Sequence, residues 1–103
     1  MTYILRFVQQ YRPADREAFL DIEARFDELE RSSPHLPRGR RYQPLSGASP
    51  NHSMVWECQF QSLGDVQTAL RKLNDDPTHI RLFQQQSPFI TEIHTEIFEI
   101  LEF

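Results

Sequence analysis

Glu92, His94 and Glu96 stand at alternate positions, so on an extended strand they put two carboxylates and an imidazole on one face. Such a set could coordinate a divalent cation or work as an acid and base pair. Plain alternation gives the same pattern when a polar strand face points to water or to a charged seam. Metal ligands also need partners from elsewhere in the fold, so no metal is expected here. Cys58, the only cysteine, alternates with Met54, Trp56 and Phe60, an apolar setting that predicts a buried, inert thiol rather than a nucleophile. On that same face Trp56, with Tyr3 from the start of the chain, is either core or the wall of an apolar pocket. Arg38, Arg40 and Arg41 form the only basic cluster. They suit a carboxylate or phosphate at a pocket mouth, or they offset acidic neighbours as weak surface pairs. These types and spacings name no catalytic residue.

The elements that must position these groups follow from periodicity. Thr2 to Gln9 alternates, with Tyr3, Leu5 and Phe7 on one face and Ile4, Arg6 and Val8 on the other, which predicts a first strand. After Arg12-Pro13, the residues Phe19, Ile22, Phe26 and Leu29 recur at helical spacing. The many Asp and Glu among them read as a solvated face, and Ser32-Ser33-Pro34 stops the helix near Arg31. Arg40 to Ser46 predicts a weaker strand at a sheet edge, because Pro44 cannot donate to a ladder. Turn formers at 47–51 precede His52 to Gln61, where Met54, Trp56, Cys58 and Phe60 alternate with Ser53, Val55, Glu57 and Gln59.

Ser62-Leu63-Gly64-Asp65 has the form of a capping box ahead of Val66, Ala69, Leu70 and Leu73, which predicts a second helix. Asp76-Pro77 caps and starts a short third helix that turns Ile80 and Phe83 inward, and Pro88 closes it. Ile90 to Phe103 returns to alternation as a long last strand. With right-handed crossovers this order predicts an α+β, ferredoxin-like βαββαβ sandwich with an extra short helix before the last strand.

One domain, residues 1–103, is all that this length supports, and the 39% hydrophobic and 25% charged composition argues for a folded core. A net charge of −4 removes any general attraction to nucleic acid or anionic membrane, so neither is expected as a partner. A single cysteine cannot close an internal disulfide, no zinc-site spacing occurs, and no stretch reaches the ~20 apolar residues of a membrane span. A cytoplasmic protein is expected.

Helices can cover only one face of a four-stranded sheet, yet the last strand carries Ile97 and Leu101 on one face and Phe98 and Ile100 on the other. The second face mixes Ile4, Val8 and Val55 with a polar cluster of Arg6, Glu57, His94 and Glu96. It is too apolar for open water and too charged for a dry core. A second copy of the chain is the economical cover, with Arg6 pairing with Glu57 or Glu96 within or across subunits.

Tyr3-Ile4-Leu5-Arg6-Phe7, then Tyr11-Arg12-Pro13 ahead of a helix with Phe19, resembles the opening of NIPSNAP-family domains. Met54-Val55-Trp56-Glu57, Ser62-Leu63, Asp76-Pro77 and Glu96-Ile97-Phe98-Glu99-Ile100-Leu101 extend the resemblance over most of the chain. His79 departs from it, standing where an aromatic residue is expected. The wider group is the dimeric α/β barrel superfamily, which includes antibiotic-biosynthesis and haem-degrading monooxygenases. The resemblance implies a homodimer with a pocket between helices and sheet, where the related monooxygenases hold aromatic substrates. The haem-degrading relatives use an Asn, a Trp and a helical His. Here Trp56 and His79 match two of these, the first strand offers no Asn, and no cofactor is expected. Standing alone, His79 reads as an exposed residue of the capping region.

These lines converge on a small, partly apolar ligand held by Tyr3, Trp56, His79 and Phe83. The alternatives are a cofactor-independent monooxygenase acting on an aromatic substrate and a purely structural module. An enzyme requires a cavity with a titratable group inside it, whereas a module requires a filled core.

Overall fold

The alternating segments form one antiparallel sheet, and the segments with helical periodicity lie across one of its faces. The computed structural model describes residues 1–103. Strand β1 (Tyr3–Tyr11) is followed by a 3-10 turn (Pro13–Asp15), helix α1 (Arg16–Ser32), and strands β2 (Arg40–Tyr42) and β3 (Ser53–Phe60). Helices α2 (Leu63–Asp75) and α3 (Pro77–Gln86), a second 3-10 turn (Ser87–Phe89) and strand β4 (Ile90–Glu99) complete the chain. Strand order is β2-β3-β1-β4, all neighbours antiparallel, which is the ferredoxin-like α+β topology expected.

Local chemistry sets the helix ends. Ser62 Oγ accepts the Asp65 N–H at 3.0 Å, and Asp76 Oδ1 accepts the His79 N–H at 2.9 Å with Pro77 in the first turn of α3. Between sheet and helices lies the main core of Leu5, Tyr11, Phe19, Met54, Trp56 and Val66, and a smaller cluster of Ile22, Phe26 and Leu82 joins α1 to α3.

Three strands are shorter than their sequences predict, β3 by only one residue at each end. β4 ends at Glu99 rather than Phe103, because its partner β1 runs out: the Ile100 N–H donates to Thr2 O at 2.8 Å, and Leu101 and Phe103 beyond it are exposed. β2 ends at Tyr42 rather than Ser46, two residues before the proline that has no N–H to offer. The acidic helix face also needs correction. Glu23 and Glu30 of α1 are each 6% exposed, turned into the protein and not to solvent.

Candidate functional site

The burial of two glutamates follows from spacing. Phe19, Glu23, Phe26 and Glu30 are separated by four, three and four residues, so both carboxylates fall on the stripe that α1 buries. A buried carboxylate needs a partner, and Arg41 of β2 provides one. Its Nε donates to Glu23 Oε2 at 2.6 Å and its Nη2 to Glu30 Oε2 at 2.6 Å. Its Nη1 reaches Glu30 Oε1 at 3.2 Å and Asp27 Oδ1 at 3.3 Å. Burial alone would lower the guanidinium pKa, but the hydrogen bonds to Glu30 and Glu23 and their charges outweigh it and hold the pKa above its ordinary value. Of the two sequence readings of the basic cluster, Arg41 follows the second, offsetting acidic neighbours, though in a buried setting.

Trp56 is tied to the same carboxylate. Its indole Nε1 donates to Glu30 Oε1 at 3.2 Å, and the Gly39 N–H donates to that oxygen at 3.0 Å. Gly39 lies so close to the ring that a Cβ there would overlap Trp56 Cε2 and Nε1, so a side chain at this position would force the ring or the backbone to shift. Phe7 stacks on the other part of the wall, with its ring centroid 5.0 Å from that of Trp56.

Between this wall and α3 lies a cavity of about 500 Å³. Trp56, Phe7 and Phe26 line it together with His79, Ile80 and Phe83 of α3. Ile80 and Phe83 are 40% and 39% exposed, and across from them Ile93 of β4 is 46% exposed, which places the open side between α3 and β4. The His79 ring packs against Phe26 at 4.8 Å. Burial pushes its pKa below the ordinary imidazole value, Glu30 and Asp76 pull it back in part, and Arg41 lowers it further. His79 is therefore a half-buried, neutral imidazole at a cavity wall and not an exposed capping residue.

The structure brings Trp56, His79 and Phe83 to one cavity, and it does not bring Tyr3 there. Tyr3 lies toward the other end of β1, packed against the core, with its hydroxyl 3.9 Å from Met1 Sδ. On the opposite sheet face, Arg6 Nη2 sits 3.1 Å from Glu57 Oε2, and its guanidinium carbon lies 4.7 Å from the centre of the Phe98 ring. Glu96 stands beside Arg6 in register on the other side, and His94 pairs with Glu92 at 2.8 Å. Glu92, His94 and Glu96 are not part of any cluster of three or more metal-binding side chains. Cys58 is half-buried rather than buried, and its thiol is pushed up by burial and by the nearby Glu30 charge, which keeps it protonated.

Sequence reasoning missed Glu23, Glu30 and Gln86. For the glutamates the signal was their place on the apolar stripe of α1. Gln86 falls on the same α3 stripe as Leu82 and is fully buried.

Comparison with solved structures gives the fold a family setting. A NIPSNAP family protein from Agrobacterium tumefaciens superposes with a TM-score of 0.80 over 100% of this chain and 96% of its own, at 16% identity. This is the fold of NIPSNAP proteins. A NIPSNAP-like domain protein from Burkholderia xenovorans matches with a TM-score of 0.77 at 15% identity, over 99% of this chain and 87% of its own. An antibiotic-biosynthesis-monooxygenase-like protein from Nitrosomonas europaea has a TM-score of 0.69 at 16% identity, over 97% and 90% of the two chains. No family model matches the sequence, and no curated protein matches it either. At these identities the NIPSNAP likeness is a likeness of fold.

Proposed function

We propose that this NIPSNAP-like chain is a homodimeric binding protein that holds a small, partly apolar molecule in the cavity between helices and sheet. The observation that carries this reading is the cavity itself. A structural module would fill the space between α3 and the sheet, whereas here about 500 Å³ stays open behind aromatic walls, a volume suited to a small organic molecule. The ligand would contact Trp56, His79 and Phe83. Tyr3, on the same face of β1 as Phe7 and four residues away from it, would support the core beside the cavity and not touch the ligand.

The second copy is supported by the uncovered sheet face. Arg40, Glu57, Arg6 and Glu96 lie in register across all four strands, a row of alternating sign set beside Phe98, which is 39% exposed. A face of that composition suits a copy of itself, since a two-fold axis can lay each charge over its opposite.

One observation favours a second reading, a cofactor-independent monooxygenase. The neutral imidazole of His79 lines an apolar cavity, where it could take a proton from an aromatic substrate whose carbanion then reduces oxygen. Oxygen uptake that depends on an added phenolic substrate and is lost in His79→Gln would favour it.

A native mass spectrum of freshly purified protein tests the main reading. A dimer with added mass supports both halves of it. A bare monomer contradicts both.

A further inference from the structure

We propose that the cavity selects its occupant by hydrogen-bond donors and positive charge: it takes an aromatic molecule bearing an ammonium group and rejects the matching carboxylate. This rests on the reading of the cavity as the binding site and adds the chemical class of the ligand.

The first support is the state of the one guanidinium in the wall. Four of the five N–H donors of Arg41 are committed, Nε to Glu23, Nη1 to Glu30 and Asp27, and one of Nη2 to Glu30. An arriving anion would find a single Nη2 N–H left to receive it. It would also meet unfavourable charge, because Glu23 and Glu30 together exceed Arg41 by one negative charge and His79 is neutral.

The second support is a buried acceptor with nothing to accept. Gln86 lines the cavity, is 0% exposed, and its Oε1 has no hydrogen-bond partner. The amide cannot be turned over to hide this. Its Nε2 donates to Phe19 O at 3.3 Å and to Glu23 Oε1 at 2.9 Å, and both of those are acceptors. Buried acceptors are nearly always satisfied, and since Gln86 is closed off as it stands, a ligand donor would reach this oxygen through a turn of the side chain toward the cavity.

The third support is Glu23, whose two oxygens each take one donor, Gln86 Nε2 on Oε1 and Arg41 Nε on Oε2. A carboxylate oxygen has two lone pairs, so Glu23 has capacity left. Glu30 differs: its Oε1 already takes Gly39, Trp56 and Arg41. An ammonium placed at Gln86 and Glu23 would leave its ring among Trp56, Phe7 and Phe83, whose faces also attract positive charge.

Trp56 is the chain's only tryptophan and lines the cavity, so its fluorescence reports on occupancy. Three probes of matched shape decide the question at pH 8, where His79 is neutral: 2-phenylethylamine, 2-phenylethanol and 3-phenylpropionate. The expected result is 2-phenylethylamine binding about tenfold or more tighter than 3-phenylpropionate, with the alcohol between them. Glu23→Gln, which keeps shape and removes charge, should narrow that ratio several-fold in folded protein. Gln86→Leu should weaken the amine and the alcohol together. If 3-phenylpropionate binds as well as the amine, the donor selection is wrong and the cavity remains a binding site. If none of the three alters Trp56 fluorescence in folded protein, selection and binding site fall together.

Discussion

Arg41 is the residue on which the site's geometry turns, since it ties β2 to two carboxylates of α1 that have no other cation. Removing one partner of a buried ion pair leaves the others charged and unsolvated. Arg41→Met should therefore destabilise the protein by about 3–5 kcal/mol, measured by urea unfolding. An unchanged midpoint would show that Glu23 and Glu30 reach water without it. Gly39→Ala acts on the same spot by overlap. A Cβ overlapping the indole forces Trp56 or the backbone to move, with an expected loss of about 1–3 kcal/mol and a changed Trp56 emission maximum. Such contacts are hard to read from sequence, because a Gly beside arginines looks like loop composition and the strand containing Arg41 is only three residues long. The glutamates were more accessible. Counting Asp and Glu by class concealed that two of them keep step with Phe19 and Phe26.

At the scale of elements, α3 joins the fold to the site, because its N-cap fixes where His79 and Phe83 fall. Asp76 accepts the His79 N–H, and that bond first, then the His35 contact at 2.9 Å, holds its carboxyl below the ordinary range. Asp76→Ala should cost about 1 kcal/mol of stability and weaken ligand binding, whereas the equivalent cap loss at Ser62→Ala should cost similar stability and leave binding unchanged. Calorimetry with 2-phenylethylamine separates the two. Burial of His79 adds a pH dependence. Its folded pKa lies below the 6.5 of the unfolded chain, so between those values the unfolded state binds more protons. Stability is complete above about pH 6.5 and falls as pH drops toward the folded pKa. His79→Gln should flatten that part of the stability profile, and an unchanged slope would show that the imidazole is solvated.

The order and type of these elements were legible, since alternation, helical stripes, two caps and four prolines each act over a few residues. Strand ends were less so: β4 stops where β1 no longer supplies partners, a limit set elsewhere in the chain. The cavity was legible in part, through Trp56, His79 and Phe83. Tyr3 shares a strand face with Phe7 but lies four residues along it, too far to reach the same space.

The whole molecule measures 42 × 34 × 19 Å, the thickness of one sheet and one helical layer, so one sheet face is left without cover. The charge row on that face restricts how a second copy could lie. Reading across from β2, its signs are plus, minus, plus, minus at Arg40, Glu57, Arg6 and Glu96. A two-fold axis parallel to the strands sets each charge over its opposite, whereas an axis along the row sets like over like. Arg6→Glu should then weaken the dimer at least tenfold in sedimentation analysis, and adding Glu57→Arg should restore it. Failure of the double variant to recover would reject that axis.

Every role proposed for the cavity depends on a small molecule entering the space beside Trp56. The most direct measurement is a two-dimensional 1H–15N spectrum of labelled protein titrated with 2-phenylethylamine, following the single indole N–H, which donates to Glu30, and the Gln86 side-chain amide. Both signals should shift together and saturate with one binding constant. Saturable shifts confined to residues outside the cavity, or none at all, would contradict it.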